Sequence, residues 1–233
     1  MSEADAPTLE RTSRAADEAP RSLRVLAITT IAVVALLMLL GSAFALGRGQ
    51  QSKMPREGSA EAGFARDMGV HHAQAVDMAE RIRDRTADPG LRTLATDIAL
   101  GQQAQIGQMR GWLDQWQLPT TGAQPPLAWM GDDGHNEAMA NPMPGSSAMA
   151  GGAMMPGMVG TAQLDQISNA PIADAERLFL ESMIAHHKGG VVMAKGVLAR
   201  TDRAEVKTLA TAIVNAQESE IKAMTEMLDQ RPR

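Results

Sequence analysis

Four of the five histidines in this chain form two adjacent pairs, His71-His72 and His186-His187. Met68 and Met183 stand three residues before the first histidine of their pair, and Met78 and Met193 stand seven after it. On a helix those spacings bring thioether and imidazole onto one stripe, with the second histidine of each pair about 100° round. A buried imidazole needs partners for both ring nitrogens, and the stripes offer few polar groups. A metal ion would satisfy one nitrogen of each ring.

Ligand softness narrows the metal. Thioether with imidazole suits Cu(I), and imidazole alone suits Cu(II) or Zn. A di-iron bundle site needs inward Glu and Glu-x-x-His, and here the residue three before each pair is Met. His71, His72, Met68 and Met78 make one candidate ligand set; His186, His187, Met183 and Met193 make the other, unless the two meet in a shared core site. Gln102 and Gln105 correspond to Gln217 and Glu220, and Glu220 is the one carboxylate placed to be a ligand. The bland alternative is a pair of satisfied core histidines among Met residues that only fill space.

The pairing of sets reflects an internal duplication. Phe64, Met68, His71 and His72 recur as Phe179, Met183, His186 and His187, an offset of 179 − 64 = 115. The same offset carries Leu94-Ala95-Thr96 to Leu209-Ala210-Thr211, Met109 to Met224, and Leu113-Asp114-Gln115 to Leu228-Asp229-Gln230. No gap intervenes between residues 64 and 115.

Each copy must therefore hold its chemistry on a helical hairpin. Phe64, Met68, His71, Ala75, Met78 and Ile82 alternate steps of four and three, one stripe of a helix. Phe179, Met183, His186, Gly190, Met193 and Val197 repeat it. Asp88 with Pro89 signals the start of the second helix of copy one. Asp202 with Glu205 signals it in copy two, and Asp174 is a candidate cap for the helix that carries His186. Two hairpins with one apolar stripe each predict an all-α four-helix bundle, residues 61–115 packing on residues 161–230. Thr161 to Asn169 is expected as a short helix before Pro171, Trp112, Trp116 and Trp129 as packing at the bundle end, and Gly189-Gly190 as a close helix approach.

Residues 116–160 hold six prolines and cannot form a long helix. They also hold His135, Met139, Met143, Met149, Met154, Met155 and Met158, which are either accessory copper ligands or parts of a plain tether. Residues 1–24 are polar, and Val25–Leu46 runs 22 residues without a charge. About 20 apolar residues cross a bilayer as a helix. The expectation is one transmembrane helix at 25–46, a cytoplasmic segment at 1–24, a linker at 47–60 and the bundle outside a bacterial plasma membrane. A cleaved signal ending near Ala43-Phe44-Ala45 is the rival.

Composition sets bounds on function. The 233 residues are 44% hydrophobic and 3% aromatic, with no Tyr, no Cys and 17 Met. Absence of Cys excludes disulfides, zinc-thiolate sites and iron–sulfur clusters. A formal charge of −5 gives no reason to expect nucleic acid.

The repeated Phe-x3-Met-x2-His-His-x5-Met-Ala pattern resembles domain-of-unknown-function family 305 (DUF 305). The second copy, through Met193-Ala194, is the closer match, with Gln217-Glu-Ser-Glu220-Ile221-Lys-Ala-Met224 as the family's tail and Met155-Pro156-Gly157-Met158 as its entry. The resemblance covers about residues 61–230. It implies a ferritin-like bundle, export and, in some members, periplasmic copper binding and resistance, and it implies no enzymatic activity. Gln105 departs from the family's Glu. The expected function is copper sequestration, tolerance or delivery, with a copper-handling protein as partner. The alternatives are a metal-free structural or partner-binding envelope protein and a ferritin-like metal oxidase.

Overall fold

A computed structural model describes Met38 and residues 54–131 and 155–231, and all but Met38 belong to a compact unit spanning Met54–Arg233. Those residues form five α-helices: α1 (Ala60–Arg83), α2 (Pro89–Gln115), α3 (Thr161–Asn169), α4 (Ile172–Leu198) and α5 (Ala204–Asp229). A short 3-10 turn spans Ala128–Met130. No strand occurs among the described residues, so the unit is an all-α bundle.

Local chemistry fixes where these helices begin. The Ser59 side chain accepts from the Ala62 amide at the start of α1. Asp88 accepts from the amides of Gly90 (2.8 Å) and Leu91 (3.2 Å), with Pro89 at the first helical position of α2. Copy two differs. Arg203, not Asp202, stands at the cap position of α5 with no side-chain cap, and α4 begins two residues before Asp174, after Pro171. What the copies share at the turn is a threonine: Thr86 Oγ1 accepts from the Asp88 amide and Thr201 Oγ1 from the Arg203 amide, each at 3.1 Å.

Helices α1 and α2 pack as one hairpin, α4 and α5 as another, and α1 packs on α4. Phe64 and Met68 share a core with Met193 and Val197, while Ala75 to Ile82 share a second with Ala175 to Met183. Helices α1 and α4 therefore run in opposite directions, and the copies are related by a rough two-fold. The threonines confirm it. Thr201 donates to Glu61 (2.8 Å), and Thr86 donates to Glu176, so each copy's turn is held by the other copy's first helix. Phe64 and Phe179 are fully buried, each contributing about 1.5–3 kcal/mol of apolar transfer.

The indole ring of Trp129 meets Phe64 edge-on at 6.0 Å, and Trp112 stacks on Trp116 at 5.9 Å. Asp67 accepts from the Trp129 indole and the Leu127 amide, both 2.8 Å, which ties the segment after α2 onto the end of α1.

The placement in a plasma membrane is corrected by the structure. Among the described residues no helix is long and apolar enough to cross a membrane. The physical reason lies in the four long helices, each of which has charged residues along its outer face, such as Asp77, Glu80 and Arg81 on α1. The 25–46 span, the 1–24 segment, and the accessory positions His135, Met139, Met143, Met149 and Met154 lie outside the described residues, Met38 excepted.

Candidate metal centre

The centre of the bundle is a layer of histidine. His71, His72, His186 and His187 are all fully buried. The rings of His71 and His186 stack with centroids 3.7 Å apart and planes inclined by 32°. Within each pair the neighbouring ring stands farther off, 6.4 Å for His71–His72 and 6.3 Å for His186–His187. The antiparallel crossing of α1 and α4 causes this: equivalent stripe residues meet at the two-fold, and their neighbours turn away towards α2 and α5.

Each outer histidine is held by the second helix of its own hairpin. His72 Nε2 lies 2.7 Å from Gln105 Oε1, and His187 Nε2 lies 2.7 Å from Glu220 Oε2. A carboxylate only accepts, so His187 donates from Nε2. His71 donates from Nε2 to the Pro156 carbonyl at 3.0 Å. That carbonyl belongs to the segment entering copy two, which lies against α4. A Cβ at residue 189 would overlap the Pro156 carbonyl oxygen, and one at residue 190 would overlap the Gln217 amide. Gly189-Gly190 thus makes room for a backbone carbonyl and a glutamine side chain.

A large set of polar atoms is left over. Nδ1 of all four histidines, Nε2 of His186, and both amide ends of Gln102 and Gln217 are buried with no hydrogen-bond partner. Each such group costs about 1–3 kcal/mol when left unmade. Burial pushes the His71 imidazole down to about 4, against a smaller opposing effect of the Pro156 carbonyl. It pushes His72 down to about 3, aided by His71. His186 also falls well below the usual range, through burial first and then its histidine neighbours. The His71, His72 and His186 rings are therefore neutral at pH 7 and present lone pairs.

Thioethers flank this layer on both sides, grouped across the copies. Met68, Met109 and Met193 lie in one core, and Met78, Met183 and Met224 in the other, all fully buried. A set drawn from one copy, such as Met68 with Met78, is split between opposite ends of the layer. Met155 and Met158 lie in the entering segment, packed against the first core. Glu220 stands behind His187 as its hydrogen-bond acceptor. Among the described residues no three His, Asp or Glu side chains form a group spaced to hold a metal ion.

Sequence reasoning missed the Pro156 carbonyl, which no side-chain pattern announces. It saw Met109 and Met224 as a repeat pair but left them out of the candidate sets. Their shared offset, 224 − 109 = 115, was the available signal.

The model of the family described as domain of unknown function (DUF305) matches residues 61–228. Among solved structures, the chain is similar to a DUF305 protein of Streptomyces coelicolor, 42% identical over 75% of this chain and 94% of that one, with a TM-score of 0.64. A DUF305 fragment from Deinococcus radiodurans is 33% identical over 76% of this chain and 99% of that one, with a TM-score of 0.59. CopM in its Cu(I)-bound form is 27% identical over 73% of this chain and 96% of that one, with a TM-score of 0.53. A curated protein of Acanthamoeba polyphaga mimivirus is 40% identical over 55 residues, so the chain spans 36% of that relative's length.

Proposed function

This chain belongs to the DUF305 family, and we propose that within it the bundle is a copper-binding protein that sequesters the metal, confers tolerance or hands the ion on. The observation that carries the proposal is the stacked His71–His186 pair, whose partnerless ring nitrogens sit between two layers of buried thioethers. Likeness to CopM, which has been solved with Cu(I), with Cu(II) and with Ag bound, supports copper as the metal.

The donor chemistry fits. Neutral imidazole and thioether are soft to intermediate donors, and Cu(I) takes both. With Glu220 the one carboxylate hydrogen-bonded to a histidine among the described residues, the donor set disfavours Mg, Ca and di-iron chemistry. His71 and His186 would supply nitrogen at the two-fold, Met68 and Met193 sulfur on one side, and Met78 and Met183 sulfur on the other. His72 and His187 would hold copper through Nδ1 while Gln105 and Glu220 orient their rings through Nε2. Copper here is cargo, a soft Lewis acid bound and released. The ferritin-like description of the bundle and the accessory role of Met155 and Met158 belong to the same proposal.

Metal analysis of the full chain after exposure to copper tests it. Retention of at least one copper per chain through a desalting step is the expected result. A folded chain that emerges free of copper contradicts it.

A further inference from the structure

The two outer histidines of the layer, His72 and His187, are held alike except in the charge of their partner. Gln105 and Glu220 occupy the same repeat position, 220 − 105 = 115, and each receives its histidine at 2.7 Å. Both histidines are fully buried. Both have a partnerless Nδ1 on the far side of the ring. The contact to the outer histidine is held constant while an amide makes it in one half and a carboxylate in the other.

We propose that this substitution divides the labour between the copies: the His187–Glu220 half accepts Cu(II), and the His72–Gln105 half accepts Cu(I). The inference rests on the copper-binding reading above. Its physical basis is charge compensation. A divalent ion held by neutral donors keeps two positive charges in a poorly polarisable interior, which burial strongly disfavours. The side chains of the layer, Met68, Met78, Met183, Met193, Gln102 and Gln217, are all neutral. Glu220 is the one carboxylate hydrogen-bonded to a histidine among the described residues. Accepting from Nε2, it pushes electron density through the ring towards Nδ1 and offsets one unit of the ion's charge. Gln105 makes the same hydrogen bond, so it fixes the ring equally well, but supplies no charge. A monovalent soft ion needs none, because imidazole and thioether already suit it. Gln105 and Glu220 are thus positioning residues that act through a histidine.

Two reciprocal variants of the full chain test this, Glu220→Gln and Gln105→Glu. Each is titrated separately with Cu(II), followed by electron paramagnetic resonance, and with Ag(I) as the redox-inert stand-in for Cu(I). Helix content by circular dichroism is checked alongside. Glu220→Gln is expected to weaken Cu(II) by about 10- to 100-fold, the usual effect of changing a residue behind a ligand, with Ag(I) nearly unchanged. Gln105→Glu is expected to add a second Cu(II) with a matching spectrum. A merely structural role would move both ions together. Equal loss of both ions, or unchanged Cu(II) in Glu220→Gln, overturns the division of labour while copper binding stands. If Glu220→Gln does not fold, absence of the second Cu(II) in Gln105→Glu overturns it. Failure of the unaltered chain to bind either ion ends the copper reading and this inference with it.

Discussion

His71 and His186 occupy the same position in two copies of one hairpin, and their rings stack 3.7 Å apart at the two-fold of the bundle. Stacked, desolvated imidazoles tolerate no charge, which gives the metal-free protein a pH dependence. The folded-state values of His71, about 4, and His72, about 3, lie below the ordinary 6.5. Well above pH 6.5 neither folded nor unfolded chain protonates these rings, and stability is at its full value. As pH falls from 6.5 towards 4 the unfolded chain takes up protons that the folded chain refuses, and stability is lost. Each full unit of difference is worth about 1.4 kcal/mol. Urea midpoints of the metal-free protein should fall between pH 7 and pH 4.5. A midpoint that stays constant or rises over that interval contradicts the buried neutral layer.

The cross-copy grouping of thioethers makes a separate prediction. Met183→Leu nearly conserves volume and helix propensity, so folding should survive with a cost under about 1.5 kcal/mol. It removes a soft donor, so Cu(I) should weaken far more than Zn(II). Double substitutions locate the partner. Met78 shares a core with Met183, whereas Met193 lies in the other core. Met183→Leu with Met78→Leu should be non-additive in Cu(I) affinity, and Met183→Leu with Met193→Leu close to additive. The reverse pattern would return the ligands to sets within one copy.

Gly189 holds the entering segment in place. A methyl group there would displace the Pro156 carbonyl, the acceptor of the His71 Nε2 proton. Gly189→Ala should therefore destabilise the protein by about 1–3 kcal/mol, despite the better helix propensity of Ala. Chemical denaturation measures it. A stabilised variant would show that the segment moves aside at no cost.

Much of this was legible because a duplication displays its own structural logic. The 3-4 spacing of Phe64, Met68 and His71, repeated at Phe179, Met183 and His186, made a helical bundle the simplest way to bury two stripes. The burial of those residues follows directly from that pattern. How the stripes face each other does not. Periodicity is a property of one helix, and the antiparallel crossing of α1 with α4 sends Met68 to Met193 rather than to Met78. Capping residues misled for a related reason: Asp202 and Asp174 carry the right side chains, but Thr201 and Pro171 settle where those helices begin. The Pro156 carbonyl was invisible because a backbone acceptor has no residue signature. Apolar length alone predicted a membrane helix at 25–46, and among the described residues no helix is long and apolar enough to cross a membrane.

The account turns on whether the His71–His186 pair holds copper. The direct measurement is an anaerobic Cu(I) competition titration of the full chain against His71→Ala combined with His186→Ala, with circular dichroism confirming that both remain helical. The pair is predicted to be required: the unaltered chain holds at least one Cu(I), and the double variant loses it or binds it at least about 100-fold more weakly, a difference of about 2.7 kcal/mol. A folded double variant that keeps the unaltered copper affinity would contradict the account and leave the histidines as packing residues of a metal-free bundle.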